Sequence, residues 1–97
     1  MSPMDPERAL ARYEHRADVE AIYISNGFRK QLGVSKKGMR KLEDQGVVLN
    51  RDIPGACLIA VLGRARDNVI VHAFDEEAEA FAREFEASPR WDLVRLG

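Results

Sequence analysis

Two apolar runs, at 58–62 and 69–74, stand on either side of the polar segment Gly63-Arg64-Ala65-Arg66-Asp67-Asn68. Strand-forming residues around a short, Gly-containing polar break specify a β-hairpin. No other feature restricts the chain as much, because strands that are apolar at consecutive positions must be covered on both sides. Both strands are therefore expected to be central in a small antiparallel sheet. A cover follows directly in sequence. Asp75-Glu76-Glu77 opens a helix with acidic side chains at the positive end of its dipole. Ala78, Phe81, Ala82 and Phe85 then repeat at helical spacing until Ser88-Pro89 ends it. The segment Trp91-Asp92-Leu93-Val94-Arg95-Leu96 is expected to return as a terminal strand.

The first half reads as helical. Asp5 can cap a helix, Pro6 suits its first position, and Glu7 favours the positive end of the dipole. Leu10, Tyr13, Ala17, Ala21, Ile24, Phe28 and Leu32 recur at spacings of three and four, an amphipathic stripe broken near Asn26-Gly27. The residues Val19-Glu20-Ala21-Ile22-Tyr23-Ile24 also have strand composition, and the stripe favours helix over strand there. Ser35 is a capping residue for a further helix to about Gln45, closed by Gly46. Val47-Val48-Leu49 is extended and positions 50–55 form a loop. The expected order is α-α-α followed by β-β-α-β. The fold class is α+β, a single small domain over 1–97, with a helix-turn-helix-like N-terminal half and a small antiparallel sheet under one covering helix.

Charge is distributed unevenly over this plan. Positions 29–41 hold Arg29, Lys30, Lys36, Lys37, Arg40 and Lys41 and no acidic residue. Removing those six from the 15 basic residues leaves nine against 16 acidic ones elsewhere. A cationic segment in an otherwise acidic chain marks an anion-binding surface, for which a nucleic-acid backbone is the usual ligand, or else a solvated helix face. A pI near 6.1 argues against nonspecific coating of nucleic acid, so any contact is local. Met1-Ser2-Pro3-Met4-Asp5 has neither a basic nor an apolar leader region, so no secretory signal is expected, and no apolar run reaches the length of a membrane span. The lone Cys57 excludes an internal disulfide and fits a reducing cytoplasm.

Residues 33–48 read Gly33-Val34-Ser35-Lys36-Lys37-Gly38-Met39-Arg40-Lys41-Leu42-Glu43-Asp44-Gln45-Gly46-Val47-Val48. This resembles the helix-turn-helix of MerR-type DNA-binding regulators, whose segment typically reads G-V-S, then an apolar residue and Arg, then Glu, then G-L-L. With 23–31 supplying the preceding helix, the resemblance spans residues 23–51 at most. It implies a Ser35-started helix entering the DNA major groove, with a wing touching the phosphates. The sequence departs from the pattern at Lys41-Leu42, where that family has an aromatic pair. It departs again at Gly38, which costs about 1 kcal/mol relative to Ala inside a helix. The implied contacts are Ser35, Lys36, Lys37, Arg40 and Lys41, with Arg29, Lys30, Arg64 and Arg66 positioning the backbone.

Chemistry is less legible. His15, His72 and Cys57 lack the spacing of a metal site, and no cofactor-binding or nucleophile motif is present, so no catalytic residue, cofactor or metal is expected. His72 shares strand parity with Ile70 and Phe74 and reads as a core or edge histidine. The element order is loosely similar to that of small RelE-like ribonucleases, for which His72, Arg64 and Arg66 would be the candidates. A protein-interaction module of anti-defence, immunity or adaptor type is a further alternative, since Glu76, Glu77, Glu79, Glu84 and Glu86 make the last helix acidic. The leading expectation is a cytoplasmic, sequence-dependent DNA-binding protein, a regulator or a phage- or plasmid-type accessory. Duplex DNA is the expected partner, with a homodimer or a protein partner as further expectations and no membrane contact.

Overall fold

The computed structural model describes residues 5–66 and 68–94. They form α1 (Pro6–Glu14), β1 (Val19–Ile24), α2 (Asn26–Leu32), α3 (Lys36–Asp44), β2 (Val47–Leu49), β3 (Cys57–Leu62), β4 (Asn68–Ala73) and α4 (Glu76–Ala87). The class is mixed α+β, as expected. Each helix starts on a side-chain cap. Asp5 accepts from the Arg8 amide at 2.8 Å, Ser25 from Phe28 at 3.1 Å, Ser35 from Gly38 at 3.2 Å and Asp75 from Ala78 at 2.8 Å. Each bond satisfies an amide that a helix start otherwise leaves without a partner.

The expected hairpin is present: β3 and β4 pair antiparallel from Cys57↔Ala73 to Leu62↔Asn68. Its setting differs from expectation. The strand order is β2-β1-β3-β4, with β1 antiparallel to β3 and parallel to β2, so the sheet is mixed and not wholly antiparallel. All six residues of β3 are buried, while β4 is an edge strand and only half-buried. Its apolar side chains are retained because helices reach it from both sides.

Residues 19–24 form a strand where helical spacing favoured a helix. Ile22 and Ile24 face one side of the sheet, and Ala21 and Tyr23 the other. Period-two alternation with both faces covered prevails over a spacing of three and four that runs by coincidence through α1, β1 and α2. The observed order is therefore α-β-α-α-β-β-β-α. Because β1 and β2 are parallel, α2 and α3 together form the crossover of a β-α-β unit.

A helical layer covers each face. On the first, Leu10 and Tyr13 of α1, Phe28 of α2 and Met39 of α3 pack against Ile22, Ile24, Val47, Leu58 and Ala60. On the second, Ala78 and Phe85 of α4, with Leu93 and Val94, pack against Tyr23, Cys57, Ile59 and Val61. The expected terminal strand is absent at 91–94. That stretch coils through turns, with the Leu93 amide donating to Arg90 O at 3.0 Å and the Val94 amide to Trp91 O at 3.3 Å. Leu93 and Val94 are buried as cover for the sheet, which removes them from strand pairing. Positions 95 and 96 of that expected strand lie outside the described residues.

The layers meet at one buried junction. The Ser25 hydroxyl is fully buried, accepts from the Phe28 and Cys57 amides (3.1 and 2.9 Å) and donates to Gly55 O at 2.6 Å. Asp75 caps α4 and also accepts from the Ala56 amide at 2.9 Å. Gly55 has a φ of 64°, and a Cβ there would lie 2.5 Å from the Asp75 carboxylate and 2.6 Å from the Ala78 nitrogen. Only glycine combines that backbone with so close an approach.

Candidate nucleic-acid interface

α3 is fixed from below and bare above. Met39 is buried and Leu42 half-buried against the first core, while Lys36, Lys37, Arg40 and Lys41 are all exposed. This is the segregation that helical spacing predicts for the segment. Among the described residues the salt bridges are Arg16–Asp18 and Arg90–Asp92, and neither involves α3. The four cations therefore have no acidic partner among the described residues. Asp44, also exposed at the last turn, lowers the positive charge at that end only.

The turn into α3 is built from Gly33, Val34 and Arg29. Gly33 closes α2 with a φ of 68°, and its amide donates to Lys30 O at 3.0 Å. The Arg29 guanidinium donates from Nε to Asn26 Oδ1 at 3.0 Å and from Nη1 to Val34 O at 3.3 Å. Arg29, expected as a phosphate contact, thus spends two of its nitrogens bracing α2 to the turn. Gly38 also finds its reason here. A Cβ at that position would lie 2.8 Å from Val34 Cγ1, so glycine lets the turn close against the first turn of α3.

Lys30, Ser35, Lys36, Lys37, Arg40 and Lys41 lie together along this turn and helix, as the sequence suggested. Arg64 and Arg66 do not join them. They sit in the β3–β4 turn, beside the Val19 end of β1, where the Gly63 amide donates to Asp18 O at 2.9 Å. The N-terminus of α3 sits by Leu49, level with Ile24 and Leu58 at the other end of the sheet. Four residues of strand separate the two ends, about 13 Å, and β1 and β3 intervene laterally. That turn therefore does not lie beside the N-terminal half of α3, where Lys36 and Lys37 stand. The same separation applies to the ribonuclease candidates: His72 pairs with Leu58, four positions from the end of β4 that carries Arg64 and Arg66.

His72 is the edge histidine its parity indicated. Its Nε2 lies 2.6 Å from the Tyr13 hydroxyl, joining α1 to β4. Burial lowers its pKa, the Arg12 guanidinium lowers it further, and Glu86 opposes both. The neutral ring and the phenol share one hydrogen bond, whose direction follows the imidazole tautomer. Cys57 is buried, and desolvation with the nearby Asp75 carboxylate pushes its thiol up to about 12, so it carries no reactive thiolate. No group of metal-binding side chains occurs among the described residues. No helix among them is long and apolar enough to cross a membrane.

One residue at the interface escaped the sequence reading. Arg51 lines a cleft of about 310 Å³ with Arg29, Lys36, Met39, Glu43 and Leu49. The only available signal was a basic residue just after an extended segment, and it becomes informative once β2 is known to lie under α3. Comparison with protein-family models, with curated proteins and with solved structures finds no match.

Proposed function

We propose that this protein binds duplex DNA through the exposed face of α3. The observation that carries the reading is four exposed cations, without a salt bridge among the described residues, on one side of a helix whose other side is anchored by Met39. Lys36, Lys37, Arg40 and Lys41 contact phosphates and base edges, and Lys30 extends the contact along the preceding helix. Arg29 acts from beneath by fixing the angle between α2 and α3. The rest of the chain is acidic, which keeps the contact confined to this face. One α3 offers a small footprint, so the reading includes two copies on one site, and the reduced Cys57 suits a cytoplasmic setting. A role as a small regulator or as a phage- or plasmid-type accessory protein follows from such binding.

The test is duplex affinity measured against salt. Each phosphate contact contributes about 0.9 to the slope of log affinity on log salt. The double variant Lys36→Glu/Lys37→Glu is expected to lose about 1.8 of that slope, or binding altogether. Its thermal stability should match the parent's, because both side chains are exposed. Charge reversal at Glu76 and Glu77, on α4 across the sheet, is expected to leave affinity undiminished. Equal binding by parent and double variant, or no binding by the parent at low salt, overturns the reading and leaves the basic face as a dock for an acidic protein.

A further inference from the structure

The cleft at the start of α3 holds opposite charges that do not neutralise one another. Arg29 comes from α2, Lys36 and Glu43 from α3, and Arg51 from the chain leaving β2, and all four line one cavity of about 310 Å³. Among the described residues, no salt bridge joins Glu43 to any of these cations. The bonds from Arg29 to Asn26 and Val34 O hold its guanidinium in place without consuming Nη2. The remaining lining is Ser35 and the apolar pair Met39, buried, and Leu49, half-buried. A cavity at the lower end of the size range of small-molecule sites, with cations at one part, an apolar floor and a separate carboxylate, suits a ligand of matching polarity.

We propose that this cleft binds a single unpaired nucleotide, with its phosphate against Arg29, Lys36 and Arg51 and its base on Met39 and Leu49. Glu43 then accepts from the edge of the base. A carboxylate has two acceptor oxygens and is best matched by two parallel N–H donors. Among the common bases guanine presents such a pair, at N1 and N2, so guanine is the preferred base. The ligand is either a free guanine nucleotide or a guanosine within a single strand, and the chemistry recognised is the same. The inference rests on reading α3 as the nucleic-acid-facing element, and it adds base selectivity to a surface otherwise described by charge.

The test is an amide-resolved NMR titration of the intact chain with GMP, AMP and inorganic phosphate. Oligothymidylate with and without one guanosine follows. GMP is expected to shift residues around 35–51 and to bind about tenfold more tightly than AMP or phosphate, the worth of one well-placed hydrogen bond. Glu43→Gln is expected to erase that preference while phosphate-dependent binding persists, and Arg51→Ala to weaken GMP and AMP alike. Both side chains are exposed, so both variants should fold. Tighter binding of the guanosine-containing strand than of GMP assigns the site to a strand, and the reverse assigns it to a free nucleotide. Either outcome upholds the cleft. Equal affinities for GMP, AMP and phosphate, or a preference unchanged in Glu43→Gln, overturn it. Duplex binding lost on Lys36/Lys37 reversal without any guanine preference overturns the cleft alone. Guanine-selective shifts in a chain that ignores duplex DNA overturn the duplex reading alone.

Discussion

Replacing Ser25 by alanine removes one oxygen that makes three hydrogen bonds inside the protein. The first is the cap on α2, worth about 1 kcal/mol for a typical Ser-to-Ala change. The second and third hold the chain entering β3, through the Cys57 amide at 2.9 Å and Gly55 O at 2.6 Å. Alanine leaves that amide buried without a partner, a penalty of about 1–3 kcal/mol. The expected loss is about 2–4 kcal/mol, a large share of the stability of a domain this size. For 60–100 residues, about 4–8 °C accompanies each kcal/mol, so Tm should fall by about 10–30 °C. Ser35→Ala is the natural comparison, because Ser35 is an exposed cap with a single bond at 3.2 Å. It should cost about 0.5–1 kcal/mol. Urea denaturation followed by circular dichroism, with the m-value checked for constancy, measures both. If Ser25→Ala costs no more than Ser35→Ala, the junction between α2 and β3 is not where the two layers are joined.

His72 should make stability fall on acidification. Its folded pKa lies below the ordinary 6.5, so the unfolded chain takes up the proton first. The contribution is complete above about pH 6.5 and is lost as pH falls through the folded value, and His72→Gln should remove this step from a urea-midpoint series against pH. A midpoint that rises with acid in the parent would contradict it. Phe85 is buried on α4, with its ring 5.4 Å from that of Phe81. Phe85→Ala should cost about 3–5 kcal/mol by equilibrium denaturation, and a cost near zero would show that α4 does not seal the second face.

How much of this was legible in the sequence depended on how local each signal was. The hairpin, the caps at Asp5 and Ser35, the start of α4 and the exposed face of α3 are fixed by residues within a few positions of one another. β1 was not, because Ala21, Ile24 and Phe28 fall at helical spacing by chance and the evidence for a strand lies in β3, more than thirty residues onward. The same long-range pairing makes β4 an edge and the sheet mixed, which no local pattern encodes. For the interface, the sequence named the cations of α3 but could not give their neighbours. Arg51 belongs with Lys36, and Arg64 and Arg66 do not, because a parallel β2 places the start of α3 at the Leu49 end of the sheet, opposite the end that carries the hairpin turn. Arg29 read as a charge, whereas its two bonds make it a brace.

β2 is three residues long, is bonded along one side only, and follows directly from the C-terminal end of α3. The free energy that holds residues 36–49 in place is therefore smaller than the free energy of unfolding the whole chain. This limb can open while β1, β3 and β4 stay paired between α1 and α4. In native-state hydrogen exchange its amides would exchange through that partial opening, ahead of those in β3. A ligand that engages only the closed limb opposes the opening by mass action, so binding on α3 would register as slowed exchange confined to the crossover and β2, with the centre of the sheet unchanged.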